Sequence, residues 1–231
     1  MFGEVAAGAE QQPAAPAVTQ PAAGRSDRPA PPASTDSPER DVLTGEELAA
    51  ILDELAVQPE QRHGYDRGDW PHWGSGRAGD GLNVRHEVLA DESWCPVTVR
   101  DGYVTGGCWW SVYDQLWVQD PAALDVDHIV ALQEAHDSGG FAWDVAAREA
   151  FANWHRGLVA VSSATNRAKS AADPAGWLPD SGPVRCAFVR SWLQIKHAWA
   201  LSVDADERAA LQDAISDCPT AVGLHTLEPP E

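Results

Sequence analysis

Eleven tryptophans fall between Trp70 and Trp199, and this confinement limits the chain more than any other feature of its sequence. Side chains of that size have to be packed, so the core must come from that stretch and its near flanks. Residues 1–40 are the opposite: Ala, Pro, Gln and Ser dominate, with almost no large apolar side chains. Such a segment cannot bury enough surface to offset its ordering entropy. The expected organisation is a disordered tail over 1–41, one domain over 42–220 and a flexible C-terminal tail over 221–231. A length of 231 residues suits one such domain with tails.

Charge bears on the class of partner. The chain carries a net −19, which argues against tight binding of a polyanion. Its distribution is uneven, because residues 148–169 hold Arg148, Arg156, Arg167 and Lys169 against Glu149 alone. A basic patch on an acidic body can still hold a phosphate, although long-range steering would be poor. There is no apolar run of about 18 residues, so no membrane span is expected. The first residues, MFGEVAAGAEQQPAAPA, lack a basic start followed by an apolar run, so no signal peptide is read there.

Local signals place the elements. Thr44-Gly-Glu-Glu47 has capping-box spacing ahead of Leu48, Ile51, Leu52 and Leu55 at helical intervals. Asn83 to Leu89 is expected as a short strand. Asp101-Gly102 is the dipeptide of a two-residue type I′ turn. Counting outward from that turn sets Cys95 opposite Cys108 at a non-hydrogen-bonded position suited to a bridge, with Pro96 and Gly106-Gly107 able to disturb the register. Val184, Phe188, Trp192, Ile195 and Trp199 mark a helix, and Asp204 with Glu207 opens another. Packed antiparallel, these two helices would bring Cys186 near Cys218. Two such pairings favour an oxidising compartment, extracellular or in the cell envelope. An upstream start would reconcile that with the absent signal peptide. None of the four cysteines forms a C-x-x-C knuckle, so a structural zinc site is not expected.

The chemistry concentrates in two stretches. Asp125-Val-Asp-His-Ile-Val-Ala-Leu132 has mixed alternation and β-branched residues, a short strand around a buried position. Gly157-Leu-Val-Ala-Val161 is a second strand, and Ser162 or Ser163 caps a helix holding Asn166, Arg167 and Lys169. Strand, loop, strand, helix is the outline of a ββα-metal site. An imidazole such as His128 can take a proton from water near neutral pH. Lys169 lies three residues past Asn166, on the same helix face.

D-V-D-H-I-V followed by L-V-A-V-S-x-x-x-N-R-x-K-S resembles the core of HNH nucleases. The fuller pattern is similar to small bacterial HNH proteins of the DUF1524 type, related to the GmrSD restriction nucleases. Its motifs are matched by Tyr65, Arg67, His72 and Trp73; by Trp110, Tyr113 and Asp114; by Asp127 to Gly139; by Phe151 to Asn153; by Asn166 to Lys169; and by Asp173 to Pro179. The resemblance covers roughly residues 60–210. It implies an α+β fold in which a ββα-metal core carries an additional β-hairpin and flanking helices. It also implies a metal-dependent endonuclease, with DNA favoured over RNA. In that reading His128 is the general base, Asp127 and Asn166 are ligands of Mg²⁺ or Mn²⁺, and Lys169 or Arg167 contacts the scissile phosphate.

Three positions depart from the family pattern. Gly157 stands where a middle Asn usually orients the base, with Asn153 nearby. Ala131 replaces a Pro, and Leu82 stands where a Cys is expected, with Cys95 available for the bridge. The competing readings are a catalytically silent scaffold that binds nucleic acid or acts at a surface, and a toxin domain held by an immunity partner. The roles of His72, His136, Glu134 and Asp114 are open at this point.

Overall fold

In the computed structural model of the chain, which describes residues 42–76, 79 and 81–229, the capping box at Thr44 is formed. Glu47 N donates to Thr44 Oγ1 (3.2 Å) and Thr44 N donates to Glu47 Oε2 (2.9 Å), joining β1 (Val42–Thr44) to α1 (Gly45–Glu54). The expected tail over 1–41 lies outside the described residues.

The next element differs from expectation. Asn83 to Leu89 is not a strand; it caps and begins α2 (Val84–Asp91). Asn83 Oδ1 accepts from His86 N at 3.0 Å, and Val84, Val88 and Leu89 are buried together on one helical face. Val84 and Val88 lie four apart, a helical spacing, and the burial follows it.

A hairpin of β2 (Thr98–Arg100) and β3 (Tyr103–Gly106) follows, turning through Asp101 and Gly102 at φ of 51° and 78°, as a type I′ turn requires. Arg100 pairs with Tyr103 and Val99 with Val104, and the register then shifts so that Thr98 faces Gly106. Cys95 and Cys108 are nevertheless joined, with Cα atoms 5.5 Å apart. Ser93 fastens the two ends of the bridge, its hydroxyl donating to Cys95 O and accepting from Cys108 N. A second hairpin pairs β4 (Trp109–Ser111) with β5 (Leu116–Val118).

The central ribbon consists of β6 (Leu124–His128), later paired antiparallel with β7 (Leu158–Ser162) from Leu124↔Ser162 to His128↔Leu158. Between the two strands run α3 (Leu132–Asp137) and α4 (Val145–Ala152). The mixed alternation of the ribbon has a physical cause: both of its faces are covered. Leu124, Val126, Leu158 and Ala160 join a cluster with Val84, Val88 and Trp109, whereas Val159 and Val161 join the larger core around Phe188 and Trp192.

From β7 the chain enters α5 (Ser163–Lys169), capped by Ser162 Oγ, which accepts from Thr165 N at 3.2 Å. The long α6 (Gly182–Ala198) and then α7 (Ala205–Ser216) pack against each other and against α1, and Cys186–Cys218 joins the pair. A buried Lys196 on α6 donates to Glu134 of α3 and Glu207 of α7, both at 2.7 Å, so one ammonium holds three helices. Finally β8 (Thr220–Val222) pairs with β1. Residues 221–226 are therefore not part of the flexible tail expected. Ala221 and Leu224 are buried, and Arg190 donates to Ala221 O at 3.1 Å. The described residues thus form an α+β fold of seven α-helices and four two-stranded antiparallel sheets.

Candidate functional site

Strand β6 delivers Asp127 and His128 to opposite sides of the ribbon, as the pleat demands. The Asp127 side is sealed. Asp127 is only 5% exposed; its Oδ1 accepts from Lys169 Nζ and its Oδ2 from the Tyr113 hydroxyl, both at 3.0 Å. Lys169 is 0% exposed and also donates to His128 O at 2.9 Å. Burial pushes the Asp127 carboxyl upward, while the Lys169 ammonium and the two hydrogen bonds pull it down. Burial, with the Asp127 charge beside it, raises the Tyr113 phenol well above its usual range. A lysine on the last turn of α5 thus closes the seam between that helix and the ribbon.

This arrangement alters three expected assignments. Lys169 is fully buried, its ammonium bonded to Asp127 and to the His128 carbonyl, so it does not face solvent as a phosphate contact would, whereas Arg167 on the same helix is exposed. Asn166 does not meet Asp127. Its amide Nδ2 donates to Asp125 Oδ2 at 3.0 Å. The expected ligand pair therefore does not fit a divalent ion as placed: one carboxylate has both oxygens engaged, and the amide is turned to a different acid. Among the described residues, three carboxylates with oxygens within 4.8 Å of one another are Glu60, Glu134 and Asp173, none of them an expected ligand.

The other side of the ribbon is more open to chemistry. His128, 6% exposed, donates from Nε2–H to the Ala152 carbonyl at 2.9 Å. A carbonyl can only accept, so the neutral ring carries its lone pair on Nδ1, which has no partner among the described residues. Burial drags the imidazolium down to about 3, against the Ala152 bond, and the charges of Arg67, His72 and Lys169 add to the lowering. The ring is therefore neutral at pH 7.

Above it sits the loop between Trp70 and Gly74. The Trp73 ring lies 5.5 Å from that of His128 at 31°, and the His72 ring lies 6.4 Å away at 80°. His72 donates from Nδ1–H to Trp70 O at 2.7 Å, and its Nε2 is 3.5 Å from Arg67 Nη2. Trp73 has φ of 59°, a conformation that an aromatic residue adopts only under external constraint. Asn153 supplies the constraint. Its Oδ1 accepts from Gly74 N at 2.9 Å and its Nδ2 donates to Pro71 O at 2.9 Å. The end of α4 thus fixes both halves of the site, the imidazole through the Ala152 carbonyl and the loop through the Asn153 side chain. Gly157 has a backbone role, its carbonyl accepting from Ile129 N at 2.9 Å.

The residues whose roles were open now divide. His72 belongs to the site. His136 is a core residue: its Nε2 meets His63 O, and Tyr65, Trp70 and Phe141 surround its ring. Glu134 pairs with Lys196, and Asp114 accepts from Ser162 Oγ (2.5 Å) and Thr165 Oγ1 (2.8 Å), pinning the start of α5. Neither orients His128. The sequence reading missed Asp125 and the Ala152 carbonyl. Asp125 lies in the same motif as His128, whereas a backbone acceptor leaves no residue-type signal. A separate cleft of about 660 Å³, lined among others by Trp94, Trp110, His155 and Arg156, includes none of the expected site residues.

Fold and site together define an α+β protein with two disulfides and a histidine pair at the end of a buried two-stranded ribbon. The chain is 31% identical over 172 residues to an uncharacterized secreted protein of Arthroderma benhamiae, across 73% of this chain and 83% of that protein, and it belongs to the same family. No family model and no solved structure matches it.

Proposed function

We propose that the chain is an HNH-type nuclease, cleaving phosphodiester bonds in nucleic acid with His128 as the general base. The observation that carries this reading is the state of His128. A backbone carbonyl fixes its tautomer, its lone pair is left on Nδ1, and it stands at the end of a strand–strand–helix unit beside His72 and Arg67. In this reading Nδ1 takes the proton of the attacking hydroxyl, the oxygen bonds to phosphorus, and the bond to the leaving oxygen breaks. Arg67 and the exposed Arg167 are the cations offered to the phosphate. The Mg²⁺ or Mn²⁺ of the family resemblance has no fitted donor pair here, so no step is routed through it. Two disulfides and the secreted relative support an extracellular location.

The sealed Asp127 favours a second reading, a catalytically silent scaffold. One experiment separates the two. Purified chain is incubated with plasmid DNA and with RNA, each with Mg²⁺, with Mn²⁺ and with chelator, alongside His128→Ala. Cleavage by the wild type that His128→Ala loses by about 10²-fold or more supports the nuclease. Cleavage that His128→Ala retains removes His128 from the mechanism, and no cleavage under any condition favours the silent scaffold.

A further inference from the structure

The cleft of about 660 Å³ combines three kinds of lining. Buried Val88, Val159 and Leu224 are apolar, and Trp94 and Trp110 supply aromatic faces. Trp117 stands beside both, its ring 6.3 Å from that of Trp94 at 84° and 5.6 Å from that of Trp110 at 61°. Trp94 and Trp117 are each 51% exposed, in a chain that packs Trp70, Trp192 and Trp199 at 0%. Exposed rings of this size, grouped at the mouth of a cleft, mark a place where something else lies against them. They are held in place: Trp110 pairs directly with Trp117 across β4 and β5, and Trp94 N donates to Cys108 O at 2.8 Å beside the Cys95–Cys108 bridge.

The third kind of lining is ionisable and braced in advance. Glu92 Oε2 accepts from Ala160 N at 2.7 Å, and its Oε1 lies 3.3 Å from His225 Nδ1. His155 stands between Glu87 at 3.0 Å and Asp91 at 3.8 Å, and Arg156 brings a guanidinium to the same cleft. Groups fixed before a ligand arrives lose little freedom on binding it.

This mixture selects the ligand. A polyanion would meet Asp91 and Glu92 on a chain of net −19, and an organic cation would meet Arg156. A wholly apolar molecule would take the carboxylates and imidazoles out of water with no hydrogen bond in return. A neutral sugar suits every part. Its hydroxyls both donate and accept, so they answer carboxylate, imidazole and guanidinium alike. The C–H face of its ring is apolar and slightly positive, and packs on the negative face of an indole. We propose that the cleft binds a neutral oligosaccharide, with one sugar ring stacked on Trp94 and the chain continuing toward Trp117. The cleft's volume is that of a small-ligand site. Sugar binding here is separate from phosphodiester cleavage at His128.

The test is isothermal titration of the full chain with cellohexaose, laminarihexaose, maltohexaose, mannohexaose and hexa-N-acetylchitohexaose, and with oligothymidylate and choline for comparison. The expected result is binding of at least one sugar and of neither comparison ligand. Trp94→Ala, at an exposed position, should weaken that binding by about tenfold or more with the thermal midpoint unchanged. Trp94→Tyr, which keeps an aromatic face, should retain most of it. Binding of none of these sugars overturns the proposal. So does sugar binding that survives both Trp94→Ala and Trp117→Ala, because the sugar then lies elsewhere. Oligothymidylate or choline binding in place of the sugars, with the same dependence on Trp94, overturns it in favour of a base-stacking or cation site. None of these readouts involves cleavage, so the nuclease reading stands or falls on its own assay.

Discussion

Asp127 and Lys169 show how much a single buried pair decides. Each would be costly alone in the interior, and each is satisfied by the other together with Tyr113 and the His128 carbonyl. Replacing Lys169 by Met removes the cation that, among the described residues, contacts that carboxylate, and should destabilise the fold by about 3–5 kcal/mol, measured by urea unfolding. The double variant Asp127→Asn with Lys169→Met should recover much of the loss, since neither charge is then stranded. A loss below about 1 kcal/mol for the single variant would mean that the pair is not closed as described. At this scale the sequence was only half informative. It marked Asp127, His128, Asn166 and Lys169 as a group, but it could not reveal that Lys169 turns inward or that Asn166 turns to Asp125. Those choices depend on how closely α5 approaches the ribbon, which is set by packing from elements far away in the chain.

Among the elements, local chemistry was legible wherever it acts within a few residues. The Thr44 capping box, the Asp101-Gly102 turn and the Ser162 cap are all contacts across three residues or fewer, and all formed. The segment from Asn83 to Leu89, expected as a strand, is helical because Val84 and Val88, four apart, are buried on one face behind the Asn83 cap. The bridge between α6 and the end of α7 closes a segment with a sequence separation of 32. By the chain-entropy account it contributes about 3–4 kcal/mol. Cys186→Ser with Cys218→Ser should therefore lower the thermal midpoint by several degrees in non-reducing buffer, and a reductant, which also opens Cys95–Cys108, should produce at least as large a fall in the wild type. An unchanged midpoint in the double variant would show that helix packing alone holds α6 and α7 together.

For the whole molecule, the buried ammonium of Lys196 is outnumbered by the carboxylates of Glu134 and Glu207. Burial foremost, with repulsion from Glu134, raises the Glu207 carboxyl to about 7, against the pull of Lys196. A carboxyl raised in the folded state contributes stability that is complete below its ordinary value and is lost as pH climbs through the raised one. The thermal midpoint should accordingly fall between about pH 5 and pH 8. Glu207→Gln should flatten that slope, which separates this cluster from the general repulsion of a chain carrying −19. A slope unchanged in Glu207→Gln would assign the effect to the surface instead.

The sequence by itself determined the α+β class, a core drawn from the tryptophan-bearing stretch and its flanks, both cysteine pairings, and the strand–strand–helix unit around His128. The elements and pairings follow from periodicity, caps and turn residues, whose forces act locally, and the α+β class is what the resemblance of the motifs implied. Only the tertiary structure decided which face of the ribbon is sealed. It bound Asp127 to Lys169, set His72 beside His128 through the grip of Asn153 on a distant loop, and drew the C-terminal strand onto β1. Each of these joins residues far apart in the chain, so no local spacing encodes it; burial and hydrogen bonding become available only once the core has closed.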